Sequence, residues 1–181
     1  MTREEIGNQI VNWEARRDKQ GRLKVYQLPS GDGGGKEEVA GINSRYHPVA
    51  VRHLKMLIDM GRYEEAEREA SNYIISDTDS TGRLAGDWRT ELFLRDTAFN
   101  RGPTGAAKIL QHSLKVAIDG KVGAKTLTAL RDGEKDAPRL IKALRNSREW
   151  YERSVVGRNE GSKFWRGLVN RWDKVTAEAL A

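Results

Sequence analysis

The stretch TREEIGNQIVNWE, residues 2–14, decides how the chain begins and where its chemistry is sought. Thr2 followed three positions later by Glu5 is the pattern of a capping box, so the segment predicts a helix starting at residue 3. Ile6, Ile10 and Trp13 then recur at the spacing of one helical face turned toward a core. Position 14 continues that face, and the residue there is a glutamate.

Two explanations compete for Glu14. A carboxylate at the rim of an apolar stripe can pair with Arg17, three residues on, for a few tenths of a kcal/mol. Alternatively, Glu14 stands partly desolvated at the floor of a cleft. Burial disfavours the charged form, which would lift its pKa from ~4.3 toward ~6 and suit it to donate a proton near neutrality.

A proton donor for a glycosidic bond usually works with a second carboxylate. Asp32, within SGDGGGK, is the best placed by sequence, because glycines let backbone and substrate approach closely. Glu37 and Glu38 are rivals on the next segment, and Asp32 also fits an ordinary turn. GDGGGK lacks the Gly-x-x-x-x-Gly-Lys-Ser/Thr pattern of a phosphate-cradling loop, so nucleotide binding is discounted.

Around these residues the chain reads as mainly helical. RLKVYQL, a broken Gly- and Pro-rich loop and a return strand over Glu38–Asn43 suggest a small hairpin-like flap across residues 22–43. Pro48 suits the first position of a helix with Val51, Leu54, Leu57 and Ile58 inward, ending at Gly61. Residues 63–75 repeat the signal with Ala66, Ala70, Tyr73 and Ile74. Asp87 is placed to cap a helix closed by Gly102 and Pro103. Another helix follows with Ala106, Ile109, Leu110 and Leu114 inward. After an Asp119-Gly120 turn come further helices anchored by Trp150, Tyr151, Phe164, Trp165 and Trp172. The tryptophans are read as core before sugar platforms.

Composition narrows the function classes. The 181 residues, mean hydropathy -0.71, suit a soluble protein of one domain or two small ones. No cysteine is present, and His47, His53 and His112 have no ligand-like spacing, so no metal or cofactor is expected. No signal-peptide h-region and no bilayer-length apolar run is seen. The expectation is synthesis in the cytoplasm without insertion into a membrane. Residues 1–92 carry 14 Lys and Arg against 16 Asp and Glu, a net of -2, whereas residues 93–181 carry 18 against 10, a net of +8. The basic half would be drawn to a polyanion such as nucleic acid, anionic lipid or the bacterial cell wall. No DNA-reading motif supports the first of these.

At this point the residues carry a resemblance. WEARRDKQGRLKVYQL with GGGKEEVAGINSRYHP resembles the N-terminal region of glycoside hydrolase family 108, bacterial and phage N-acetylmuramidases. Glu14 matches the family's catalytic Glu, Asp32 with Gly34 and Gly35 resembles its loop, and Gly41-Ile42 matches its strand. Ala15 and Arg16 stand where that family has Gly-Gly. A looser similarity links the region to phage-type lysozymes. DTAFNRGPTGAAKILQHSL, IDGKVGAKTLTAL, REWYERS and FWRGLVNRW are similar to the predicted peptidoglycan-binding domain that accompanies the family.

The resemblance implies a lysozyme-like helical fold with a small β-hairpin element, a catalytic lobe over residues 1–92 and a peptidoglycan-binding lobe over 93–181. It implies hydrolysis of the β-1,4 bond after N-acetylmuramic acid by a monomer, with Glu14 as acid and Asp32 as second carboxylate. Asn43, Tyr46 and Asn100, beside the matched motifs, are expected to line the cleft. The protein would act on the periplasmic wall after release or export. The competing expectation is a non-catalytic wall-binding or secretion-assisting module.

Overall fold

The computed structural model describes residues 1–29 and 35–181. It is mainly helical, with one three-stranded antiparallel sheet near the N-terminus, as the sequence suggests. The chain divides into two compact units, Met1–Asp77 and Thr78–Ala181. No helix among the described residues is long and apolar enough to cross a membrane.

In the first unit, α1 (Arg3–Glu14) starts with the full capping box: Thr2 Oγ1 accepts from Glu5 N at 3.2 Å, and Glu5 Oε2 accepts from Thr2 N at 2.6 Å. These bonds satisfy two of the amide donors a helix start leaves open. Thr2→Ala is therefore expected to lower stability by about 1 kcal/mol, read as a downward shift of the urea midpoint at unchanged m. The buried face is Ile6, Ile10 and Val11, and Gly7 permits close packing on α3 (Tyr63–Asp77). A Cβ at Gly7 would lie 2.3 Å from Ser71 Oγ and 3.1 Å from the Ser71 carbonyl oxygen. The line along which α1 lies on α3, and so the place where its last residue emerges, is set by that contact.

The sheet has the order β1 (Tyr26–Gln27), β2 (Glu37–Val39), β3 (Ile42–Asn43). The single return strand expected over Glu38–Asn43 is in fact two strands and a tight turn. Ala40 and Gly41 take φ of 49° and 77°, the two positive values that a two-residue hairpin of matching twist requires. Val39 pairs with Ile42 across this turn, and both are fully buried. α2 (Pro48–Asp59) begins with proline as expected and buries Val51, Leu54 and Leu57. It stops where Gly61, at φ 74°, lets Arg62 N reach Leu57 O at 2.9 Å and Gly61 N reach Ile58 O at 2.9 Å.

The second unit comprises α4 (Asp79–Gly82), α5 (Trp88–Ser113), α6 (Ala124–Glu134), α7 (Ala137–Tyr151) and α8 (Trp165–Leu180), with a π-helical turn at Glu152–Val156 prolonging α7. Asp87 caps α5 through Arg89 N at 2.9 Å. The stop and restart read from Gly102-Pro103 is a break inside α5, where Gly102 adopts φ 67°, ψ 170°. Phe93, Leu94, Ile109, Leu110, Ile141, Leu144, Trp172 and Val175 form the core, and Trp165 meets Trp172 edge-on at 5.7 Å. Phe164, expected as an anchor, is 49% exposed. It immediately precedes α8, outside the periodic face, and lies under Arg158 and Lys163.

This unit also buries a set of charges. Asp96, fully enclosed, accepts from Arg148 Nη1 at 2.6 Å and from Arg171 Nε at 2.8 Å. Arg95, equally enclosed, is held by Glu91 and Asp79 at 2.8 Å each and by Thr78 Oγ1 at 3.0 Å. Glu152 pairs with Arg101 and, at 3.3 Å, with Arg158.

Candidate active site

Glu14 is the last residue of α1 and is half-buried. Ala15 turns the chain out of the helix at ψ 130°, its N–H still bonded to Val11 O at 2.8 Å. A compact reversal follows. Asp18 Oδ1 accepts from Gln20 N and Arg22 N at 2.9 Å each, Arg17 pairs with Leu23 in an isolated bridge, and Lys24 N bonds Arg16 O at 2.9 Å. The backbone bond from Arg22, with its guanidinium, holds the Asp18 carboxyl below the usual range. Leu23 plugs the core beneath this turn.

The rim pairing of Glu14 with Arg17 is not how Arg17 is used. Both terminal nitrogens of Arg17 engage Glu67 on α3, Nη2 also donates to Asn12 Oδ1 at 2.8 Å, and Nη1 to Gly21 O at 3.0 Å. Bonding to Glu67 comes first among the causes that raise the guanidinium pKa. Arg17 thus fastens the end of α1 to α3 through a bidentate contact.

Arg16 links the helix end to the sheet, with its guanidinium 4.4 Å from the centre of the Tyr26 ring. Tyr26 pairs with Glu38, and Glu38 pairs with Asn43, so the three form one row across the sheet. Directly opposed residues share a face, and this face is turned away from the one that buries Val39 and Ile42. Glu37 lies on the other face and accepts from Gln27 Nε2 at 2.9 Å. Of the two rival carboxylates, Glu38 is therefore the one set in a row with the polar candidate Asn43.

The turn after β3 is built on Asn43. Its side-chain oxygen accepts from Tyr46 N at 3.2 Å, and its carbonyl accepts from His47 N at 3.0 Å. His47 Nδ1 is hydrogen-bonded to the Tyr73 hydroxyl of α3, and burial, with Asp77 nearby, raises the pKa of that hydroxyl. Tyr46 projects to solvent, 66% exposed, with Arg45 over its ring at 5.5 Å.

Asp32 lies outside the described residues. The described residues on either side of it are anchored: Leu28 N bonds Lys36 O at 2.9 Å, and Ser44 Oγ accepts from Lys36 N and Glu37 N at 3.0 and 3.1 Å. Gly35, at φ 99°, passes so close to the next turn that a Cβ would sit 2.8 Å from Arg45 N. Asn100 belongs to the second unit, next to the break in α5, where its Nδ2 donates to Asp96 O at 2.9 Å. Asn43 and Tyr46 are thus brought together within the unit that carries Glu14.

Comparison with known proteins places the second unit first. Residues 105–173 match the family model described as Predicted Peptidoglycan domain. This ties the segment from the second half of α5 into α8 to peptidoglycan-related proteins. Eight chains of solved structures also match, among them one described as the structure of Brucella abortus SagA. That chain is 22% identical, with a TM-score of 0.68, covering 98% of this chain and 93% of its own length. The fold is shared over practically the whole sequence. No curated protein matches.

Proposed function

We propose that the protein is a lysozyme-like muramidase that hydrolyses the β-1,4 bond between N-acetylmuramic acid and N-acetylglucosamine in peptidoglycan, with catalysis assigned to the N-terminal unit. The observation that carries this reading is the setting of Glu14. It is half-buried at the C-terminal end of a twelve-residue helix, whose negative pole disfavours a carboxylate's charge, and no basic residue lies in that last turn. In its protonated form the Glu14 carboxyl would give its proton to the leaving oxygen as the glycosidic bond breaks.

Asp32 is the candidate second carboxylate, orienting water or stabilising the oxocarbenium-like transition state, with Glu38 as its rival. Asn43 and Tyr46 are the candidate glycan contacts in the same unit. The peptidoglycan-domain match supports the polymer as partner and the wall as the place of action.

The test is mass spectrometry of fragments released from purified sacculi. Muropeptides ending in reducing muramic acid are expected; cleaved stem peptides would overturn the assignment. A second reading rests on the family match lying wholly outside the Glu14 unit: a wall-binding module without hydrolysis. It predicts co-sedimentation with sacculi and no new reducing ends.

A further inference from the structure

We propose that the outer face of α2 is a contact site for an anionic lipid bilayer. Val49, His53, Met56 and Met60 follow one another at the spacing of a single helical face. That face is opposite Val51, Leu54 and Leu57, which are buried. Val49 is 73% exposed, Met56 49% and Met60 60%. The chain has three methionines, and two of them stand on this face. A soluble helix usually fills its outward positions with charge, so three exposed apolar side chains in one row, broken only by His53, mark a contact surface.

Charge selects the occupant. Arg45 precedes the helix, and Arg52 and Lys55 flank the row; of the acidic residues at its edge, Asp59 pairs with Lys55 at 3.6 Å and Glu69 lines a cleft with His53. Arg52 is exposed. Apolar side chains bordered by cations are what a membrane interface accepts, the former among the acyl chains and the latter against phosphates. A second copy of the chain is disfavoured, because a helix of twelve residues is about 18 Å long and its one row falls far short of the roughly 800 Å² per partner that a stable dimer covers.

The experiment is flotation of the full chain with vesicles of phosphatidylcholine alone and of phosphatidylcholine containing phosphatidylglycerol. Binding to the anionic vesicles is expected, reduced more than about tenfold by the combined substitution Val49→Thr, Met56→Gln, Met60→Gln, and also by Arg52→Glu with Lys55→Glu. These positions are exposed, so unchanged circular dichroism and melting are expected to accompany the loss. Absence of wild-type binding would overturn the proposal. So would binding untouched by the apolar substitutions, which would mean adsorption through other basic surface. A dimer in light scattering that the same substitutions abolish would assign the face to a second copy instead. None of these residues belongs to the proposed catalytic set, so hydrolysis of soluble peptidoglycan fragments should be unaffected in every variant, which separates failure here from failure of the muramidase reading.

Discussion

Glu14→Gln is expected to leave a folded protein whose release of reducing ends from sacculi falls by about 10²–10⁴-fold, the usual share of a positioned general acid. Glutamine keeps the volume and the half-buried position at the end of α1 but carries no transferable proton. The substitution leaves in place the Arg17–Glu67 contact and the close packing of Gly7 on Ser71 that hold this helix on α3. Melting temperature and affinity for sacculi should therefore stay close to wild type, and the loss should appear in kcat. Glu14→Asp, which withdraws the carboxyl by one methylene, is expected to retain partial activity. Turnover by Glu14→Gln equal to wild type would remove position 14 from the chemistry. Asp32→Asn and Glu38→Gln, measured alongside, decide between the two candidate second carboxylates by which one reproduces the loss.

Glu14 was conspicuous in the sequence because it interrupts an apolar row, and the capping box, the Pro48 start and the Gly61 and Gly102 stops were equally legible. Each is a local rule, decided by residues within a turn or two. The Ala40-Gly41 turn was missed because EVAGIN contains a single glycine and alanine rarely takes a positive φ, so the run reads as one strand. What fixes the end of α1 was beyond reach: Arg17 finds Glu67 across fifty positions, and the sheet row that selects Glu38 over Glu37 depends on register. Arg17 looked like a partner for Glu14 because spacing reports neighbours on one helix and is silent about α3.

The same limit hid the buried charges of the second unit, and they carry the largest stability prediction. Asp96 meets Arg148 from 52 positions away and Arg171 from 75, and in the sequence all three resemble solvated helix residues. Arg148→Ala removes one of the two cations and its packing over Phe93, 5.4 Å from the ring centre, leaving an enclosed carboxylate with incomplete compensation. Such a loss costs about 3–5 kcal/mol, which for a chain of this length corresponds to roughly 6–20 °C in Tm by calorimetry. Replacing the pair together, Asp96→Leu with Arg148→Met, should cost less than the two single changes summed, because neither Asp96 nor Arg148 is then left without the other. The pH dependence has a definite sign. Burial opposes the Asp96 charge, but Arg171 and Arg148 outweigh it and hold the carboxyl below its ordinary range. A carboxyl whose pKa is depressed by folding contributes its full stabilisation above the unfolded value of about 3.9 and loses it as the pH falls further, through the folded value. Wild-type stability should thus decline below about pH 4, and Asp96→Asn, already destabilised at neutral pH, should show a shallower decline over the same range. An acid limb of equal slope in both proteins would place the titrating group elsewhere.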